Sequence, residues 1–186
     1  MREEWFVTPI YFFHYKMKQD TKQLVLGEFD EYINKHTSAS QSNALGYQSG
    51  NLEHWASIRK VFGSQEILGE INNAFSMDNI RLGVKTIWFN DNWENAYNKT
   101  HVHPDSDWSG VYYIEVPEGD CGQLTFYDPR PAAQMAGEEF QQTVKVQPEE
   151  GKIVIFPSWL PHGVEPNLTE GRRISVSFNL EAAYSG

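Results

Sequence analysis

The sequence holds a single cysteine, Cys121, so no disulfide can form within the chain, and a lone thiol fits a reducing compartment. Basic residues are scarce: 15 Lys and Arg stand against 25 Asp and Glu, for a formal charge of −10. With no basic cluster to track phosphates, nucleic acid is disfavoured as a partner. No apolar run reaches membrane-spanning length, and the start, Met1-Arg2-Glu3-Glu4-Trp5, lacks the basic-then-apolar layout of a signal peptide. The expectation is a cytoplasmic protein with no membrane association. Repeats are absent too. What the chain does have is aromatic residues (11 Phe, 9 Tyr, 6 Trp) among 14 Gly and 9 Pro, the make-up of a folded, turn-rich protein. Its 186 residues suit one domain, 1–186, with a sizeable core.

The apolar pattern changes character near residue 80. Before it, Trp5 to Tyr15 is aromatic and β-rich but interrupted by Pro9, which marks a covering or edge strand. His14 within it is expected to be a packed aromatic rather than a ligand. Leu24, Val25, Leu26, Phe29 and Ile33 recur at helical spacing, and further helices are expected over 53–62 and from a possible cap at Ser64 through Phe75. Between them, 37–51 reads as a polar loop. From Ile80 on, short strands alternate with turns: 80–89, 109–116, 123–127, 143–146, 151–156 and 173–180. Helical support with a covering strand over 1–79, then a β core over 80–186, describes a mainly β, α+β architecture. Its form is an antiparallel sandwich or small barrel with helices on one flank. The segment 128–139, with two prolines and charged ends, is a lid candidate or a free loop.

Chemistry concentrates in three places. His101 and His103 sit at i and i+2, on one face of an extended chain, just before the turn Pro104-Asp105-Ser106-Asp107. His162 follows the strand-like Gly151 to Phe156 and a turn bounded by Pro157 and Pro161. Three imidazoles would suit a first-row transition metal and leave positions open for other ligands. In the last strand, Arg173, Ser175 and Ser177 share one face, while Ile174, Val176 and Phe178 share the other. If the polar face points inward, the guanidinium needs an anion, and a dicarboxylate would satisfy it with Ser175 as a second donor. If it points outward, Arg173 is merely solvated. Arg172, on the opposite face, is the expected solvated residue.

These segments resemble the Fe(II)- and 2-oxoglutarate-dependent oxygenase superfamily, most closely its bacterial and phage-type branch. The shared motifs run in order: Trp88 and Asn90, Tyr97 and Asn98, His101 to Pro104, Ser109 to Tyr113, Phe156 to His162, and Arg173 to Asn179. Thr8-Pro9-Ile10 and Gly46 to Ser49 match as well. The resemblance implies a double-stranded β-helix (jelly roll) with N-terminal helices packed on one sheet. It implies Fe(II) and 2-oxoglutarate as cofactors, dioxygen as the other cosubstrate, and hydroxylation of a substrate with decarboxylation of 2-oxoglutarate to succinate. By position, His101 and His162 match iron ligands, Arg173 and Ser175 the anchor of the far carboxylate, Tyr113 a second contact to it, and Asn90 a polar cosubstrate contact.

The chain departs from the superfamily where most members carry His-x-Asp, because the matching residue is His103. An alternative register uses Asp105, but that carboxylate lies beyond the proline turn. The runner-up reading is a metal-binding cupin, which would want a glutamate ligand where this chain has Asp107 and Trp108, and which has no use for Arg173 with Tyr113. A third is a non-catalytic barrel module. The acidic balance favours a peptide or small-molecule substrate, and the aromatic N-terminal strand could pair across a homodimer.

Overall fold

The period-two alternation of apolar residues beyond Ile80 builds two antiparallel sheets in the computed structural model, which describes residues 7–39, 41–52, 57, 61–62, 67–75, 80–131 and 143–184. In chain order the elements are β1 (Tyr11–His14), α1 (Gln19–Lys35), β2 (Asn43–Ala44), β3 (Tyr47–Gln48), α2 (Leu68–Phe75), β4 (Ile80–Asn92), β5 (Tyr97–His101), β6 (Trp108–Glu115), β7 (Leu124–Tyr127), β8 (Thr143–Val146), β9 (Lys152–Pro157), β10 (His162–Val164) and β11 (Arg173–Tyr184). The larger sheet has the order β1-β9-β6-β11-β4-β3 and the smaller β2-β5-β10-β7-β8. As expected from Pro9, β1 lies at a sheet edge.

The larger sheet is covered on both faces. Toward the helices it presents Ile87, Phe89, Tyr112, Ile153, Ile155, Ile174, Val176 and Phe178, packed on Val25 and Phe29 of α1 and on Ile71 and Phe75 of α2. Phe29 stacks on Phe89 with ring centroids 4.0 Å apart. The register demands Gly110 here: it lies directly opposite Phe178, and a Cβ at that position would come within 2.4 Å of the phenyl ring. Toward the smaller sheet, Val154 and Phe156 meet Leu124, Phe126, Val146 and Leu160 in a second, smaller apolar cluster. Beside that cluster the space between the sheets is lined by polar groups, and the site lies there.

Several local expectations need correction. The polar loop over 37–51 carries β2 and β3, each two residues long and thus too short to show a period; they pair with β5 and β4. Strand β5 is polar (Tyr-Asn-Lys-Thr-His) and β10 is three residues with a central glycine, so neither advertises itself by alternation. His14 is exposed rather than packed, with its Nε2 3.1 Å from the carbonyl of Glu150. Of the helix expected over 53–62, Ser57, Val61 and Phe62 are described and helical, while Ser64 lies outside the described residues. Among the described residues no helix is long and apolar enough to cross a membrane.

Candidate metal centre and carboxylate pocket

His101 closes β5 and His162 opens β10, and the antiparallel register sets the two directly opposite each other. His103 follows two residues after the end of β5, where its backbone N–H donates to the Ser158 carbonyl at 2.9 Å. That bond ties it to the turn that delivers His162. The turn itself is closed by the Leu160 N–H donating to the Pro157 carbonyl at 2.9 Å. A chain of hydroxyls and an amide braces it: the Ser158 hydroxyl lies 2.7 Å from Ser109, whose own hydroxyl donates to Asn179 Oδ1 at 2.8 Å. One ligand atom from each of the three histidines lies within 4.8 Å of the other two.

The ring orientations suit metal ligation. Nδ1–H of His101 donates to the Lys99 carbonyl at 2.7 Å and Nδ1–H of His162 to the Leu160 carbonyl at 2.9 Å, which leaves their Nε2 lone pairs free. Nε2 of His103 and Nε2 of His162 are 3.2 Å apart. Two nitrogens each about 2.1 Å from a shared ion at a right angle would be about 3 Å apart, so the donor set fits one metal ion. Burial holds all three rings neutral. It lowers the His101 pKa, takes His103 down to about 4 with help from His101, and takes His162 down to about 3. Neutral imidazole is the form that binds metal. Trp88 packs beside His103 with ring centroids 5.6 Å apart.

Asp105 does not join this group. It is exposed, adopts a positive φ of 63° in the turn, and uses its carbonyl to accept from Lys85 Nζ. Asp107, where a cupin ligand would fall, accepts from the Ala182 N–H through its carboxylate at 2.8 Å.

Deeper between the sheets, Arg173 is 2% exposed. Its Nη1 donates to the backbone carbonyls of Cys121, Gly122 (3.1 Å) and Glu165 (3.3 Å), while Nη2 is buried with no partner among the described residues. Burial lowers the pKa of this guanidinium, and no carboxylate among the described residues pairs with it. A buried cation with one unused N–H₂ group, facing a pocket, fits the carboxylate of a bound acid. Gly122 makes this cradle possible: its φ is +81°, and a Cβ there would come 2.7 Å from Nη1 and 2.2 Å from the Glu165 carbonyl. Nothing in the sequence signals a cradle of carbonyls, because any residue supplies one.

Cross-strand register aligns the remaining candidates. Ser175 lies opposite both Tyr113 of β6 and Asn90 of β4, so the three form one row on the pocket face. Tyr113 is 2% exposed, and burial pushes its phenol up to about 12, so it stays protonated and can donate. Asn90 donates through Nδ2 to Ser177 at 3.1 Å, leaving Oδ1 buried with no partner among the described residues. The pocket between the sheets is thus lined by all seven sequence candidates: His101, His103, His162, Arg173, Ser175, Tyr113 and Asn90. Trp88, Asn92, Asn98 and Ser177 also line it.

The expectation that Arg172 is merely solvated fails. It forms a forked pair with Asp91, a carboxylate 2% exposed on β4, through Nε at 3.0 Å and Nη2 at 2.5 Å, and it reaches Asp30 of α1 at 2.7 Å. The residue just before β11 therefore ties the sheet to the helix. Of the lid candidate 128–139, only 128–131 is described, with Arg130 paired to Asp128; the rest lies outside the described residues.

Two antiparallel sheets closed around such a pocket form the double-stranded β-helix of 2-oxoglutarate oxygenases. The chain belongs to the family described as "Putative 2OG-Fe(II) oxygenase", whose model matches residues 86–179, half of the chain. It is accordingly an Fe(II)- and 2-oxoglutarate-dependent oxygenase with dioxygen as its other cosubstrate. Solved structures share the fold. A Pseudomonas putida prolyl-4-hydroxylase is 14% identical with a TM-score of 0.64, covering 95% of this chain and 93% of that one. HygX from Streptomyces hygroscopicus, solved with nickel and 2-oxoglutarate bound, is 10% identical with a TM-score of 0.65, covering 94% and 83%. The viral collagen prolyl hydroxylase of Paramecium Bursaria Chlorella virus-1, in complex with 2-oxoglutarate, is 14% identical with a TM-score of 0.62, covering 94% and 96%. No curated protein matches the chain by sequence.

Proposed function

We propose that His101, His103 and His162 hold the Fe(II), that Arg173 with Ser175 and Tyr113 receives the far carboxylate of 2-oxoglutarate, and that the enzyme hydroxylates a peptide or small molecule. The observation that carries this reading is the unpartnered Nη2 of buried Arg173 in the same pocket as three converging, neutral imidazoles. When bound, iron and cosubstrate supply dioxygen activation coupled to decarboxylation of 2-oxoglutarate to succinate. The protein supplies position and electrostatics. The Lys99 and Leu160 carbonyls fix the tautomers of His101 and His162, so that each would offer its Nε2 lone pair to a bound ion. Three neutral ligands would leave a bound metal dicationic, a charge the cosubstrate dianion would offset. Arg173 offers a charged donor, Tyr113 a protonated phenol, and Asn90 the second hydrogen of its Nδ2. Val111, Leu124, Phe156 and Val164 line the pocket and keep bulk water from the carboxylate.

This reading also takes 1–186 as one domain working in the cytoplasm, with the helices of 1–79 as support for the barrel of 80–186. The outer edge of β1, with Phe12 exposed, is the surface it favours for pairing with a second copy. Anaerobic addition of Fe(II) and 2-oxoglutarate should produce a weak visible charge-transfer band, and admitting dioxygen should yield succinate. If no band forms with the parent chain, the assignment fails.

A further inference from the structure

Outside the metal centre the pocket widens into a cleft of about 600 Å³, bordered by β3, by β5 and by Trp88. Its lining is unusual for a chain of net charge −10. Among the described residues it includes no carboxylate, and Lys99 is the only Lys or Arg. Carboxamides and hydroxyls dominate instead, with Gln48, Asn51, Asn179, Thr86 and Thr100 among them.

Gln48 is the informative residue. It is 6% exposed, and its Oε1 is buried with no partner among the described residues. Register places Gln48 opposite Asn90, so both side chains rise from the same face, and Asn90 Oδ1 is likewise buried and unpartnered. A buried acceptor on the wall of the cleft requires a hydrogen-bond donor. A dicarboxylate dianion has none to give, so the cosubstrate cannot satisfy it. Nor can an extended peptide add itself as a strand alongside Gln48. The Gln48 carbonyl already accepts from the Ala39 N–H at 2.8 Å, and its N–H already donates to the Ser38 hydroxyl at 3.0 Å. Recognition is left to side chains, and Trp88, half-buried between the cleft and the metal centre, adds a flat apolar wall.

We infer that the cleft takes an uncharged polyhydroxylated substrate, a sugar, a cyclitol or the sugar portion of a glycoside, one of whose hydroxyls donates to Gln48 Oε1 while a carbon-bearing face lies on Trp88. The inference rests on the oxygenase reading above for the direction in which the substrate faces the metal centre. A site built to accept from a hydroxyl discriminates strongly against ligands that lack one, because its buried acceptors are then left unpaired.

The test uses the full chain loaded with Zn(II) and 2-oxoglutarate, which blocks turnover, and saturation-transfer NMR. The probes are methyl glucoside, trehalose and myo-inositol, set against glucose 6-phosphate and a proline-rich peptide. At least one neutral polyol should bind, and Gln48→Met should weaken it at least ~10-fold while the Fe(II) and 2-oxoglutarate band persists. If Gln48→Met fails to fold, Gln48→Ala provides the same comparison. Binding of the peptide or the phosphate in preference, no polyol binding, or equal binding by the variant would overturn the inference while the band keeps the oxygenase reading intact. Absence of the band in the parent chain would overturn that reading, and this inference with it.

Discussion

The two faces of β11 place opposite demands on one strand. Toward the helices, Ile174, Val176, Phe178 and Leu180 are 0–2% exposed and sit in a dry core with aromatic neighbours. Toward the smaller sheet, Arg173, Ser175 and Ser177 line a pocket in which Arg173 Nη2 and Asn90 Oδ1 are buried without partners among the described residues. Orphaned polar atoms cost stability. On the pocket side these atoms await the ligand proposed above, and the apolar packing on the helix side is what offsets their cost.

Substitutions on the two faces should therefore separate stability from ligand binding. The largest effect is expected from Phe178→Ala, which empties the volume over Gly110 and should cost about 3–5 kcal/mol by urea unfolding. Protein still folded should bind 2-oxoglutarate as before, and a loss below about 1 kcal/mol would break the contrast. Across the pocket, on β10, His162→Ala should weaken Fe(II) binding at least ~100-fold in a competitive chelator titration, with a smaller change in unfolding than Phe178→Ala. Unchanged iron affinity would remove His162 from the metal centre.

Arg173→Met sharpens the comparison further. It should lower 2-oxoglutarate affinity about 30- to 100-fold, the loss of charged hydrogen bonds. Since no carboxylate among the described residues pairs with the guanidinium, the same substitution should leave the melting temperature of the ligand-free chain equal or higher. A clear fall in Tm would mean that the backbone cradle is a structural tie rather than a carboxylate site.

The smallest effect concerns pH. The folded pKa values of His103 and His162 are depressed to about 4 and about 3, so the unfolded chain binds more protons below pH 6.5. Stability of the metal-free protein should then fall as pH drops from about 6.5 toward 4, measured by thermal melts with chelator present. His162→Phe should flatten the slope; an unchanged slope would mean that other groups set it.

Much of this was legible beforehand for a physical reason. Alternation along 173–180 placed Arg173 and Phe178 on opposite faces, and the i, i+2 spacing of His101 and His103 with the proline-bounded turn before His162 marked the candidate ligands. Other features carried no local signal. Polar β5 and three-residue β10 lack a period, and the carbonyls around Arg173 belong to no residue type. Arg172 looked solvated because its partners, Asp91 and Asp30, lie 81 and 142 positions away.

By itself the sequence determined the family, the two-faced pattern of the last strand, and which side chains could ligate or donate, since those depend on residue type and short spacing. Only the tertiary structure decided that His101 and His162 face each other across a strand pair, that Asp105 turns away, and that Arg173 and Gln48 keep buried atoms with no partner among the described residues. Those outcomes depend on register between distant strands and on where backbone carbonyls fall, and no local pattern of residues encodes either.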